Sequence, residues 1–108
     1  MNVEELKLEL KKIFGEVIFN KEFNKYAITI KNLDVNLIPW CMKVKNEEIL
    51  AIPTKRDVII FIKKIGSSNR CIIIKIVNGE FKEIHLGNHR YYDKLRNKLG
   101  IKKGSRNC

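Results

Sequence analysis

The sequence has no glutamine, two prolines and three cysteines among its 108 residues. No apolar run approaches 18 residues and no apolar segment opens the chain, so we expect neither a transmembrane span nor a signal peptide. Cys41, Cys71 and Cys108 are far apart and odd in number, which suits a reducing cytoplasm better than a disulfide framework. Few prolines and glycines also argue against long disorder. We therefore expect one cytoplasmic domain over residues 1–108, with a flexible basic tail at 102–108.

Several catalytic and ligand-binding motifs are absent. The chain has no phosphate-cradling glycine loop, no Gly-x-Ser-x-Gly elbow and no dinucleotide-binding fingerprint. It has no Cys-x-x-Cys pair, and the spacing of Cys71, His85 and His89 matches no structural zinc pattern. We expect no structural metal, no cofactor and no membrane partner.

All of the net charge of +10 lies in the second half of the chain. Residues 1–54 hold eight lysines and eight acids, whereas residues 55–108 hold nine lysines and five arginines against four acids. Charge segregated along a chain is typical of a protein with a polyanionic partner. Lysine outnumbers arginine 17 to 5, which is also compatible with an AT-rich genome or a thermophile, so part of the charge could reflect codon bias.

Apolar periodicity and capping residues predict three helices, at 3–14, 54–65 and 89–99. Asn2 and Gly15 bound the first, and Thr54 and Gly66 bound the second. The second helix would bury Val58, Phe61, Ile62 and Ile65, although the β-branched run at 58–60 also fits a strand. The third would bury Tyr92, Leu95 and Leu99 and end at Gly100.

Alternating apolar residues predict six strands, at 16–20, 25–31, 40–45, 49–52, 71–77 and 80–86. Asn78-Gly79 predicts a two-residue hairpin turn with both residues at positive φ, which pairs Lys75 with Lys82 and Cys71 with Leu86. The strand 71–77 is apolar on both faces and should be central. The order α-β-β-β-β-α-β-β-α indicates an α+β fold, with a mainly antiparallel sheet and helices packed on it.

The last helix is the strongest candidate site. Arg90, Lys94 and Lys98 recur every four residues and should line the face opposite the apolar stripe. Further cations that could extend the charge are Arg96, Lys102, Lys103 and, in a preceding loop at 66–70, Arg70. Lysine and arginine at phosphates displace condensed counterions, so this pattern predicts a non-catalytic domain that binds DNA or RNA through the backbone.

Two other functions are compatible with the sequence. His85, or His89 with Asp93 one helical turn later, could serve as the acid–base group of a metal-independent, toxin-like ribonuclease, with nearby cations stabilising phosphorane charge. A third hypothesis is a protein-interaction subunit, or a homodimer, in which the lysines are codon bias. Trp40 and Phe23 could each stack a base, but core packing is the commoner use of such residues.

Overall fold

Four helices and five strands form residues 1–101, the part of the chain that this computed structural model describes. The helices are α1 (Val3–Phe14), α2 (Phe23–Ala27), α3 (Leu33–Lys45) and α4 (His89–Leu99). The strands are β1 (Ile18–Phe19), β2 (Ile52–Pro53), β3 (Val58–Ile65), β4 (Asn69–Ile76) and β5 (Phe81–Asn88). None of these four helices is long and apolar enough to cross a membrane. The predicted flexible tail at 102–108, with Lys102 and Lys103, lies outside the described residues.

The five strands form a single sheet in the order β1-β5-β4-β3-β2. Its pairs are antiparallel except that β1 runs parallel to β5 at one edge. The predicted α+β class, with a mainly antiparallel sheet and packed helices, is therefore confirmed. Element by element the chain reads α-β-α-α-β-β-β-β-α. Three segments take the other type of secondary structure from the predicted one, and the strand predicted at 49–52 is confined to Ile52–Pro53.

The sheet carries an apolar core on each face. The large core lies between the sheet and α1, α2 and α3. The α4 core is smaller and is built from Ile60, Ile72, Ile74, Tyr92 and Ile101. β4 serves both cores because successive side chains of a strand point to opposite faces. Its central place and its apolar residues on both faces were predicted and are confirmed.

The segment 40–45, predicted as a strand, is the second half of α3. The buried residues of this helix are spaced at helical intervals: Leu33, Leu37, Trp40, Cys41 and Val44. Pro39 lies inside the helix, although it can donate no backbone hydrogen bond. Because proline usually ends a helix, the sequence did not predict a helix that continues through this position. Trp40 packs in the large core rather than presenting a surface for a base.

The predicted strand at 25–31 is also wrong, because the chain there forms the short helix α2 and a following turn. Phe23 and Ala27, four residues apart, are the buried pair, whereas Ile28 is 74% exposed. The partner expected for residues 16–20 is therefore missing. In its place Ile18 and Phe19 pair parallel with β5.

The predicted helix at 54–65 is also wrong, and here the error is reversed, because residues 58–65 form the strand β3. Ile59, Phe61 and Ile65 pack in the large core, while Val58, Ile60 and Ile62 pack in the α4 core. A strand covered on both faces is apolar at nearly every position, so it also matches a helical template. Thr54 does not cap a helix. Its hydroxyl accepts from the Arg56 amide at 3.1 Å and donates to the Val58 carbonyl at 2.8 Å, which turns the chain into the strand.

The β4–β5 hairpin is confirmed, but its turn is longer than predicted. Val77–Glu80 connect the strands, and of Asn78 and Gly79 only Asn78 has positive φ, at 56°. Cys71 pairs with Leu86 as expected. A β-bulge after Ile74 then places Lys75 opposite Phe81 rather than Lys82, which removes the predicted like-charge pair.

Candidate nucleic-acid interface

α4 begins immediately after β5 and folds back across the sheet. The side-chain oxygen of Asn88 caps the helix by accepting from the Tyr91 amide at 2.9 Å. Gly87 makes the sharp return possible, since a Cβ there would lie 2.6 Å from atoms of the Tyr91 ring. Gly100 ends the helix at φ 74°, and the amides of Gly100 and Ile101 both donate to the Arg96 carbonyl.

The predicted apolar stripe of α4 faces the sheet. Tyr92 is 2% exposed, and Leu95 and Leu99 pack around it against the α4 core. This packing fixes the rotation of the helix about its axis. The opposite side of the helix must therefore face solvent.

That solvent side carries Arg90, Lys94 and Lys98, which we call the basic stripe, and all three residues are exposed. Within residues 1–101 none of them forms an ion pair. Their charges are therefore free for an external anion.

Two other predicted cations are less accessible. Arg96 is half-buried, with Nη2 3.4 Å from Asp93 Oδ1 and its guanidinium 5.5 Å from the centre of the Tyr92 ring. Arg70 lies within β4 rather than in a loop, and it is 6% exposed. Its Nη1 donates to the carbonyl of Asn69 at 3.0 Å. We therefore leave Arg70 out of the candidate interface.

Two cations that the sequence analysis missed lie close to the end of the basic stripe. Arg56, before β3, donates from Nη2 to the carbonyl of Lys98 at 3.4 Å. Lys82 is the extra residue at the β-bulge, so its side chain turns from the Lys75 side of the sheet to the α4 side. A regular hairpin would have placed it on the other face.

Arg56, Lys82 and Lys98 line a cavity of about 320 Å³ beside α4. Its apolar walls are Val58, Ile74, Leu95 and Leu99, and its polar residues besides the three cations are Glu83 and His85. The cavity is therefore lined by three cations, one acid and one histidine.

His85 is held at both ring nitrogens, with Nε2 2.7 Å from Glu83 Oε1 and Nδ1 2.6 Å from the Tyr91 hydroxyl. Because a carboxylate only accepts, Nε2–H donates to Glu83, and Nδ1 then accepts from the tyrosine. Burial lowers the pKa of His85, and the hydrogen bond and charge of Glu83 act in the opposite direction. Burial also raises the pKa of the Tyr91 hydroxyl. The neutral imidazole thus ties the first turn of α4 to β5.

The predicted pair of His89 and Asp93 is formed at the surface. His89 Nδ1 lies 3.1 Å from Asp93 Oδ2, and the His89 side chain is 61% exposed. Asp93 is also the partner of Arg96, so this carboxylate joins two groups of the helix.

The structure does not bring together the residues considered for a metal. Cys71 is fully buried in the large core, whereas His85 lies on the α4 side of the sheet. Burial raises the pKa of the Cys71 thiol and takes that of Cys41 to about 12. Among residues 1–101 no group of three or more histidine, cysteine or acidic side chains is placed to hold a metal ion.

Comparison with protein-family models, with curated proteins and with solved structures finds no match to this chain.

Proposed function

We propose that the protein binds nucleic acid through contacts from the basic stripe to the phosphate backbone. The observation that carries this proposal is the exposure of Arg90, Lys94 and Lys98 on one side of α4, without acidic partners within the described residues. The helix behind them is fixed by Tyr92, Leu95 and Leu99, so the backbone needs little further ordering when an anion arrives and only the three side chains must be immobilised.

Arg56 and Lys82 extend this surface beyond one helix. Both line the cavity at the Lys98 end of the stripe, and both are exposed. Each phosphate that these side chains neutralise releases condensed counterions, which favours binding at low salt without reading any base. DNA and RNA both present such a backbone, so the proposal extends to both.

The state of His85 supports binding rather than cleavage. Both of its ring nitrogens are engaged within the protein, which leaves neither free to take a proton from a ribose hydroxyl. His85 nevertheless lines the same cavity as the three cations and contributes to its polar surface.

One observation favours a second candidate, which is metal-independent RNA cleavage. His89 is exposed and oriented by Asp93 beside Arg90, and this is the arrangement of a general base next to a cation. We would incubate labelled RNA with the wild type, with His89→Ala and with His85→Ala. Cleavage abolished only in His89→Ala would support this candidate, and intact RNA with the wild type would remove it.

The binding proposal is tested by titrating labelled duplex DNA, single-stranded DNA and RNA at low and moderate salt. The test variant is Arg90→Ala/Lys94→Ala/Lys98→Ala. The matched control is Lys11→Ala/Lys31→Ala/Lys43→Ala, which removes the same charge from exposed lysines in or next to α1 and α3 that form no ion pair within residues 1–101. We expect weaker binding only in the test variant. Equal weakening in both would indicate a diffuse charge effect, and salt-insensitive behaviour of the wild type would favour the protein-interaction hypothesis.

A further inference from the structure

A second cavity, of about 550 Å³, lies on the face of the sheet opposite α4. It is an open cavity, lined by the ends of α1 and α3, the segment 47–51, the strand β3 and the β4–β5 hairpin. It shares no lining residue with the cavity beside the basic stripe. Its size is within the range of sites that hold small molecules.

Three phenylalanine rings contribute to its lining. The Phe81 ring centre lies 4.5 Å from that of Phe14 and 6.3 Å from that of Phe61. Phe14 and Phe61 are buried, while Phe81 is partly exposed. Aliphatic side chains, including Val44 and Ile59, complete the apolar surface. A ring-containing molecule could pack here with offset or edge-on ring contacts.

Two lysines stand over this aromatic surface. Lys45 Nζ lies 5.8 Å and Lys75 Nζ 5.7 Å from the centre of the Phe81 ring. Lys75 Nζ also donates to the Ile76 carbonyl at 3.4 Å. Glu47 and Glu80 line the same cavity, yet neither lysine forms an ion pair within residues 1–101.

The β-bulge in β5 is the cause of this arrangement. It turns Lys82 away and places Phe81 directly opposite Lys75. Bulges commonly re-aim side chains next to functional sites. Both ammonium groups lie within about 6 Å of the centre of the Phe81 ring, so an anion held beside that ring would be attracted by each.

We infer that this cavity binds a small organic anion with an aromatic body, its ring on the phenylalanines and its acidic group attracted by Lys45 and Lys75. The inference is independent of the basic stripe, because the two sites lie on opposite faces of the sheet. A free aryl carboxylate and a free nucleotide would both present this chemistry.

The probe is anilinonaphthalene sulfonate, whose fluorescence rises on binding, and the matched neutral probe is N-phenylnaphthylamine, which has the same rings without the acid. The test variant is Lys45→Gln/Lys75→Gln. The control is Lys43→Gln/Lys64→Gln, which removes two exposed lysines outside the cavity. We expect the test variant to bind the sulfonate at least about tenfold more weakly and the neutral probe unchanged. The control variant should bind both probes as the wild type does.

Phe81→Leu should weaken binding of both probes, and thermal melting will verify that each variant is folded. Competition separates the two sources of ligand: displacement of the sulfonate by a nucleoside monophosphate but not by an aryl carboxylate indicates a nucleotide site. Displacement by both indicates a general organic-anion site. The inference is overturned if the test variant binds the sulfonate as tightly as the wild type, or if the control is weakened as much. The basic-stripe variant should bind the sulfonate normally, so either proposal can fail without the other.

Discussion

Gly87 is packed directly against the ring of Tyr91, so closely that a Cβ at this position would lie 2.6 Å from the ring atoms Cγ and Cδ2. The contact lets α4 start within one residue of the end of β5 and brings the Tyr91 hydroxyl to His85. The direction of the basic stripe across the sheet therefore depends on a residue with no side chain.

Replacing Gly87 with alanine should cost about 1–3 kcal/mol of unfolding free energy, because the methyl group forces the tyrosine ring aside. Urea denaturation measures this decrease. On a Tyr91→Ala background the same change should cost clearly less, since the clash is gone. Equal costs on the two backgrounds would show that the contact is not the cause.

The stability of the protein should fall as pH drops below about 6.5, the ordinary pKa of histidine. The pKa of His85 is lowered in the folded state, so the unfolded chain binds the proton more readily. The stability contributed by neutral His85 is thus present above the unfolded pKa and is lost as pH falls toward and through the folded pKa. Denaturant titrations at pH 7.5 and 5.5 measure the difference.

His85→Gln should flatten this pH dependence, whereas His89→Gln, which changes an exposed side chain, should leave the His85 contribution in place. If His85→Gln keeps the full pH dependence of the wild type, then other groups cause it.

Phe61→Ala should lower the unfolding free energy by about 3–5 kcal/mol, because transfer energy is lost and a cavity is left in the large core. Phe61 is 5% exposed and touches Phe81. Leu50→Ala is the control, because Leu50 is 92% exposed and should change stability by less than about 0.5 kcal/mol. A decrease below about 1 kcal/mol for Phe61→Ala would contradict its place in the core.

Glu47→Gly should stabilise the protein by up to about 1 kcal/mol. Glu47 follows the end of α3 at φ 61°, and the amide of Glu48 closes the turn by donating to the Lys43 carbonyl at 2.8 Å. Glycine adopts this left-handed conformation without the steric cost of a Cβ. A shift in the thermal midpoint measures the gain. Glu48→Gly should give no such increase, and a destabilised Glu47→Gly variant would show that the glutamate side chain contributes more than the strain removes.

The helix that carries the basic stripe could be predicted because all of its signals are local. Asn88 at the start, Gly100 at the end and the spacing of Tyr92, Leu95 and Leu99 agree with one another. The same holds for α1, where Asn2 and Glu5 form a reciprocal capping box. Capping residues and periodicity agreed in the same way for 54–65, yet residues 58–65 form β3, so such agreement decides the structure only where tertiary packing covers a single apolar face.

The segments that were predicted wrongly depend on tertiary packing. Pro39 obscured α3, although the spacing of Leu33, Leu37 and Val44 was present in the sequence. For β3 the deciding fact is that two layers of helices cover the sheet, which no local pattern shows. A strand covered on both faces and a buried helix are both apolar throughout.

The candidate site was predicted only in part for a similar reason. Exposure of Arg90, Lys94 and Lys98 follows from helix periodicity, but the approach of Arg56 to Lys98 joins residues 42 positions apart in the sequence. The bulge in β5 brings Lys82 to the same cavity as Arg56 and Lys98. The alternation of apolar residues in 80–86 does not predict this bulge. The loop predicted at 66–70 is a turn over 66–68 only, because β4 already begins at Asn69 and includes Arg70.

The dependence of nucleic-acid affinity on salt concentration tests the central claim most directly. The logarithm of the binding constant should fall linearly with the logarithm of salt concentration, with a slope of about −0.9 per phosphate contacted on duplex DNA and about −0.7 on single strands. Replacing Arg90, Lys94 and Lys98 with alanine should make that slope shallower by up to about one unit for each phosphate that is no longer neutralised, similarly for all sequences. The Lys11/Lys31/Lys43 variant should keep the wild-type slope. A wild-type affinity that does not change with salt, or a basic-stripe variant with the wild-type slope, would contradict phosphate binding by this helix.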